Sequence, residues 1–223
     1  MRQFLVRHGE SVYNVEERVQ GQADVSLSAR GRMQADSLAA WAQAIPTDAA
    51  IDEIWSSPLA RARETAEAMA EALGLPLQID DRLAELHAGI FQGHLWADLE
   101  TAFPAEVAKW RSGDIHFAIP GGESRADLAA RGRAALEALA TRPVRRMIVV
   151  AHGGVLTAAL GSLLGRTHPL LAQAAERPFT KLPALANASL TLLDWPGPDL
   201  VTFNETAHLA VPDASVHRGH FPP

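Results

Sequence analysis

Apolar positions along the chain fall into two alternating kinds of segment. Gln3 to Val6 is a short apolar run that reads as a buried strand, followed by a polar loop, "GESVYNVEERVQGQADV". "LSARGRMQADSLAAWAQAI" has helical spacing, with Ser28 in the N-cap position and Leu38, Ala42 and Ile45 on one face. "IDEIWSS" is a short strand. In "SPLARARETAEAMAEALGLP", Leu59, Ala62, Ala66, Met69 and Leu73 recur at helical spacing. Ser57 is the expected cap there, Pro58 suits the first turn, and Gly74 and Pro76 end the helix. "PLQI" predicts another strand. Residues 86–120 are irregular, with short helices. "GESRADLAARGRAALEALAT" predicts a long helix opening near Glu123. "RRMIVVA" is the strongest buried strand and runs into a helix in "HGGVLTAALGSLLG". "ASLTLLDW" and "LVTF" predict two late strands forming an antiparallel edge, and "VPDASVHRGHFPP" reads as a surface tail that includes His217 and His220. Alternating helices and strands predict an α/β fold.

Composition narrows the function classes. The 223 residues are 48% hydrophobic and 21% charged, ordinary for a globular protein with a sizeable core. The net charge is −6 with no basic run, which speaks against nucleic acid and anionic lipid as partners. With no cysteine, a disulfide, a thiolate metal site and a Cys nucleophile are all excluded, and a cytoplasmic setting is expected. The opening apolar run is too short for a signal-peptide core, and no stretch of 18 apolar residues suggests a membrane span.

Two segments carry the candidate chemistry. "FLVRHGE" and "MIVVAHGG" both run an apolar strand into His-Gly, at His8 and His152. Ligands of open parallel sheets bind beyond the carboxyl ends of strands, so such junctions aim two imidazoles into one crevice. The glycines would let backbone N–H groups approach an anion. Either histidine alone reads as a structural residue; the pair, with Arg7 beside the first, reads as a site. A metal is disfavoured: there is no His-Glu-x-x-His, no carboxylate cluster flanks either ring, and Arg7 would repel a divalent cation. A phosphate suits an arginine beside a histidine better. Arg61, in the first turn of the helix after Pro58, supplies a second cation at a helix N-terminus. Arg63 and Arg30 read as solvated surface arginines.

With "SSPLARARETA", "GQADVSLSARGRMQA", "PGGES" and "NAS", these segments resemble the histidine phosphatase superfamily, the phosphoglycerate mutase-like family, from about residue 3 to about 208. The resemblance implies a three-layer α/β sandwich, its mostly parallel central sheet flanked by helices. It implies one domain over residues 1–210, with residues 86–120 as a helical lid-like insertion and 211–223 as a tail. It also implies a phosphohistidine mechanism without metal or cofactor. Carried over by residue, His8 is the nucleophile; Arg7, Arg61 and His152 form the phosphate pocket; Asn14 contacts phosphate; and Glu85 in "AELHAGIFQG" is the proton donor. An imidazolium at His152 and the arginines would stabilise the transferring phosphoryl group. Glu85 needs partial burial to keep its proton near neutral pH. His87 is the rival donor, because "GIFQG" places Phe91 and Gln92 where the family often has Trp-Glu. Gly153, Gln20 and Ser57 are further candidates.

Residues 86–120 hold few cations, Lys109 and Arg111 with His94 and His116, and five aromatics: Phe91, Trp96, Phe103, Trp110 and Phe117. That balance favours a phosphatase of small phosphorylated metabolites over a cofactor-dependent phosphoglycerate mutase, which needs more cations around its pocket. A non-catalytic phospho-ligand binding module is the third reading, and a homodimer is compatible with all three.

Overall fold

A computed structural model describes residues 1–165, 167–172 and 184–209. Six strands form one sheet: β1 (Arg2–Arg7), β2 (Glu53–Ser56), β3 (Leu77–Ile79), β4 (Arg146–Ala151), β5 (Leu190–Asp194) and β6 (Asp199–Glu205). Their order is β3-β2-β4-β1-β5-β6. The first four are parallel, while β5 and β6 add an antiparallel edge. The helices are α1 (Val12–Val15), α2 (Ala29–Gln43), α3 (Ala60–Leu73), α4 (Leu99–Ala102), α5 (Pro104–Arg111), α6 (Arg125–Ala140), α7 (Gly153–Leu164) and α8 (Pro169–Ala172).

Side chains of successive strand residues point to opposite faces, and β4 supplies both cores of the sandwich. Met147, Val149 and Ala151 pack with Leu136, Leu139, Leu156 and Leu160 of α6 and α7. Ile148 and Val150 pack with Leu38, Ala62, Ala66 and Met69 of α2 and α3. A third cluster gathers Val19, Ala88, Phe91, Leu99, Val107 and Ile119 from the region of short helices, with Trp96, Phe103, Trp110 and Phe117 partly buried against it. The five aromatics of that segment therefore pack its own small core.

Most predicted boundaries lie within a residue or two of the observed ones. Ser28 caps α2 by accepting the Gly31 N–H. The long helix opens one residue late, at a capping box in which Ser124 and Asp127 bond reciprocally. The helix expected from Ser57 differs more. Leu59 is its N-cap and supplies no side-chain bond, so α3 starts at Ala60. The Ser57 hydroxyl is engaged elsewhere, as described below. Among the described residues no helix is long and apolar enough to cross a membrane. The tail and its two histidines lie outside the described residues.

Candidate active site

Sheet register creates the site. β1 and β4 pair with Arg7 opposite Ala151, so the residues that follow, His8 and His152, leave neighbouring strands at the same level. The His8 N–H donates to the Ala151 carbonyl at 3.0 Å. Their rings lie 5.0 Å apart between centroids, and both are buried, 2% and 0% exposed. The neighbouring strand β2 ends at the same height: Ser56 pairs with Val150, and the Ser57 N–H bonds the Val150 carbonyl at 3.0 Å. Three adjacent strand ends thus deliver His8, His152 and Ser57 to one place.

Hydrogen bonding sets the tautomers. His8 Nδ1 lies 2.6 Å from the Gly9 carbonyl, which can only accept. The proton therefore sits on Nδ1 and the lone pair on Nε2 is available. His152 Nε2 lies 2.7 Å from Ser57 Oγ, which also receives the Leu59 N–H at 3.3 Å. The hydroxyl keeps its own proton to give to Nε2, in the tautomer that carries the His152 proton on Nδ1. That nitrogen is buried and has no hydrogen-bond partner among the described residues. A buried donor without an acceptor is costly unless a ligand supplies one.

Burial, the Arg61 charge and the Arg7 charge hold the His8 imidazole well below the ordinary 6.5. His152 is lowered in the same way, by burial first, then by Arg61, His8, Arg7 and Arg131. The imidazolium expected at His152 is thus corrected: burial and positive charge on several sides hold the ring neutral.

Arg61 is 1% exposed, on the first turn of α3. Its Nη2 donates to the Gly21 carbonyl at 2.8 Å and its Nη1 to the Ala23 carbonyl at 2.9 Å, while its buried Nε has no hydrogen-bond partner among the described residues. Burial pushes the guanidinium down to about 10, opposed by Glu85 and Asp24, so it stays charged at neutral pH. Arg7 reaches the Leu185 carbonyl through Nη1. Arg63, by contrast, is exposed and lies 4.0 Å from Glu67.

The glycine-rich junctions work differently from expectation. The Gly9 N–H donates to Thr65 Oγ1 at 3.1 Å, and the Glu10 N–H to Gln34 Oε1 at 2.7 Å. A side chain on Gly9 would meet the Gly31 carbonyl at 2.6 Å, so this glycine lets two backbones touch. Gly153 is the first residue of α7 and its carbonyl accepts from Thr157 Oγ1 at 2.7 Å. The N–H groups at the start of α7 are taken by a carboxyl group of the protein itself. Glu85 Oε2 accepts the Gly154 N–H at 2.9 Å and Oε1 the Val155 N–H at 3.1 Å. The start of α3 is likewise satisfied internally, with the Ala60 N–H on Asp24 Oδ1 at 2.7 Å.

Glu85 is therefore partly buried at the first turn of the helix that His152 caps, and it acts electrostatically on Arg61. The Leu86 N–H gives Oε1 a further bond at 2.8 Å. His87 is exposed, and its Nδ1 accepts the Gly89 N–H at 3.3 Å. Asn14 and Gln20 meet around Ser11, whose Oγ lies 2.9 Å from Asn14 Oδ1 and 2.8 Å from Gln20 Oε1.

Sequence reasoning passed over Asn187 and Ala188 of the "NAS" segment. Asn187 Nδ2 donates to the His8 carbonyl and to Asn14 Oδ1, each at 3.2 Å, tying the backbone of His8 to Asn14. Ala188 is buried at φ 57°, in the left-handed region costly for a residue with a Cβ, and its N–H holds the His8 carbonyl at 3.1 Å. Thr65, Arg131 and Glu123 were also missed.

Known proteins match this chain along nearly its whole length. The family model described as "Histidine phosphatase superfamily (branch 1)" matches residues 3–205. A glucosyl-3-phosphoglycerate phosphatase of Mycobacterium tuberculosis is 38% identical over 213 residues, 89% of this chain and 88% of that protein. A probable phosphoglycerate mutase, GpmB, of Yersinia enterocolitica is 36% identical over 221 residues, 94% of this chain and 95% of that protein. Among solved structures, a mycobacterial glucosyl-3-phosphoglycerate phosphatase complexed with VO3 superposes with a TM-score of 0.75 at 34% identity, covering 92% of this chain and 99% of that one. Parallel strands that end in paired His-Gly junctions, a buried arginine on the next helix and this run of relatives lead to one assignment: the chain belongs to the histidine phosphatase superfamily.

Proposed function

We propose that the protein is a phosphatase that hydrolyses small phosphomonoesters through a phosphohistidine on His8, in a cytoplasmic setting. The observation that carries this reading is the neutral His8 imidazole, its Nδ1 proton fixed on the Gly9 carbonyl, 5.0 Å from the ring of His152 and beside buried Arg61.

The reaction has two displacements. His8 Nε2 attacks phosphorus, a P–N bond forms and the ester P–O bond breaks. The departing alkoxide takes a proton from Glu85. Water then attacks phosphorus, its proton passes to the Glu85 carboxylate, the P–N bond breaks and inorganic phosphate leaves. Arg7, Arg61 and the Nδ1–H of His152 hold the equatorial oxygens, where charge accumulates in the transition state. An incoming dianion also offsets the positive surroundings that keep His152 neutral. Asn14, Gln20 and Gly153 border this pocket as substrate contacts.

Phosphatase is favoured over mutase by the cations of residues 86–120, which are engaged within the protein. Lys109 lies 5.8 Å from the Phe117 ring centre, and Arg111 pairs with Glu100 at 2.9 Å. A mutase must hold a second anionic group while excluding water. In this reading residues 1–210 are the histidine phosphatase domain, with 86–120 as a helical lid-like insertion. The mycobacterial relatives' name makes glucosyl-3-phosphoglycerate the first substrate to test. Phosphate release from it and from simple monoesters supports the reading. Rapid isomerisation of 3-phosphoglycerate with its bisphosphate, with little free phosphate, would replace it with the mutase reading. Tight phosphate binding with no turnover would leave a binding module.

A further inference from the structure

The segment that carries Glu85 has no regular secondary structure between the 3-10 turn Asp81–Leu83 and the next turn at Gly89. Its rigidity has to come from elsewhere. Arg131, on α6, provides it. Arg131 Nη1 donates to the carbonyls of Arg82 and Ala84 at 2.7 and 2.8 Å, and Nη2 donates to the carbonyl of Glu85 itself at 3.3 Å. The same guanidinium binds Glu123 through Nη2 at 2.6 Å and Nε at 3.4 Å. Glu123 in turn accepts the His87 N–H at 2.9 Å. The pair is partly buried, with side chains 22% and 17% exposed. One planar fork thus gathers three carbonyls of residues 82–85, and its carboxylate partner holds the amide two residues after Glu85.

A guanidinium suits this task because it presents several donors in a fixed plane, which an ammonium does not. From the other side, Gln22 Nε2 holds the Glu85 carbonyl at 3.0 Å. The helix that bears Arg131 is itself locked to α7, since Gly132 brings it so close that a Cβ would meet Val155 Cγ2 at 2.8 Å. Val155 is a residue whose N–H holds the Glu85 carboxylate. Backbone and side chain of Glu85 are therefore both referred to the α6–α7 pair.

We propose that Arg131, clamped by Glu123, is a positioning residue for proton transfer: it fixes the Glu85 carboxyl over the leaving oxygen without touching substrate. The proposal rests on the reading of Glu85 as proton donor. It makes a demand that a merely structural ion pair does not. Loss of the clamp should matter in proportion to how much the leaving group needs a proton.

The test compares Arg131→Met, Arg131→Lys, Glu123→Gln and Glu85→Gln with the native chain. The substrates are p-nitrophenyl phosphate, whose phenolate leaves readily, and glycerol phosphate, whose alkoxide does not. The readout is kcat/KM, which reports steps up to release of the alcohol, together with the inhibition constant of inorganic phosphate. Arg131→Met should lose about 10–100-fold on glycerol phosphate, a fraction of the roughly 10²–10⁴-fold ascribed to acid–base help. It should lose several-fold less on p-nitrophenyl phosphate and keep its phosphate inhibition constant. Arg131→Lys should recover part of the loss. Glu123→Gln, which keeps an oxygen for the His87 N–H, should show the same pattern more weakly and serves if Arg131→Met does not fold. Equal losses on both substrates, no loss at all, or a parallel fall in phosphate affinity would overturn the positioning role. If Glu85→Gln shows no leaving-group dependence, the proton-donor reading fails and the proposal falls with it. If Glu85→Gln shows it and neither clamp variant does, the proposal alone fails.

Discussion

The carboxyl group of Glu85 occupies the volume that a side chain on Gly154 would fill. A Cβ built at Gly154 overlaps Oε1 and sits 2.9 Å from Cδ. The same glycine donates its N–H to Oε2 at 2.9 Å. Absence of a side chain at 154 and the position of the acid are thus one feature, which explains the second glycine of the His152-Gly-Gly junction.

Gly154→Ala should therefore lower kcat/KM on alkyl phosphates by about 10²-fold, the lower end of what acid–base catalysis contributes. Overpacking should also cost ~1–3 kcal/mol of stability. Steady-state kinetics beside a denaturant melt separates the two. An alanine variant with unaltered activity would show that Glu85 does not work from this position.

Acid should destabilise the fold through the histidine pair. Burial first, then Arg61 and Arg7, hold His8 well below 6.5, and His152 is lowered by the same causes together with His8. Below about pH 6.5 the unfolded chain takes up protons on both rings and the folded chain does not. Stability attributable to the pair is level above that pH and falls as pH drops beneath it, by up to roughly 1.4 kcal/mol per pH unit for each ring. Urea unfolding at pH 7.5, 6.5 and 5.5 should show a steeper decline in the native chain than in His8→Gln/His152→Gln. Equal slopes would mean that the rings are not held neutral. Saturating vanadate should flatten the native slope, because its negative charge favours protonated imidazole.

Arg61→Met should weaken inhibition by inorganic phosphate by at least about 10-fold, the equivalent of ~1.4 kcal/mol for one charge-assisted contact. It should also loosen the Gly21–Ala23 loop, whose carbonyls lose their donors. Arg61→Lys keeps charge but cannot serve both carbonyls and a phosphate oxygen with one ammonium, so it should rescue little. Isothermal titration with phosphate measures both variants. An unchanged affinity in Arg61→Met would remove this residue from the pocket.

Much of this was legible in the sequence because the informative signals are local. An apolar run that ends on His-Gly states both a strand and what the strand delivers. The Ser28 cap and the apolar stripe of α3 are readable from spacing alone. The pairing of β1 with β4 was not readable, yet it makes the two histidines neighbours, because register belongs to the sheet rather than to either segment. Ser57 shows the limit of local rules. It looks like a helix cap, but its hydroxyl orients His152 at 2.7 Å, and the helix starts without it. Arg131 and Glu123 carry no local signal, since nothing near them in the chain reveals that three carbonyls of residues 82–85 converge on one guanidinium. The helix N-termini misled for a related reason: electrostatics predicts that a bound anion sits there, and the structure fills both places with carboxyl groups of the protein, Glu85 and Asp24.

The covalent step on His8 is tested most directly by mixing the native chain and His8→Ala with a 32P-labelled monoester, quenching in base and measuring bound label. Native protein should carry a base-stable, acid-labile phosphoryl group that turns over into inorganic phosphate, and His8→Ala should carry none. Label that persists undiminished in His8→Ala, or turnover in the native chain with no trappable phosphohistidine on rapid quenching, would contradict the mechanism.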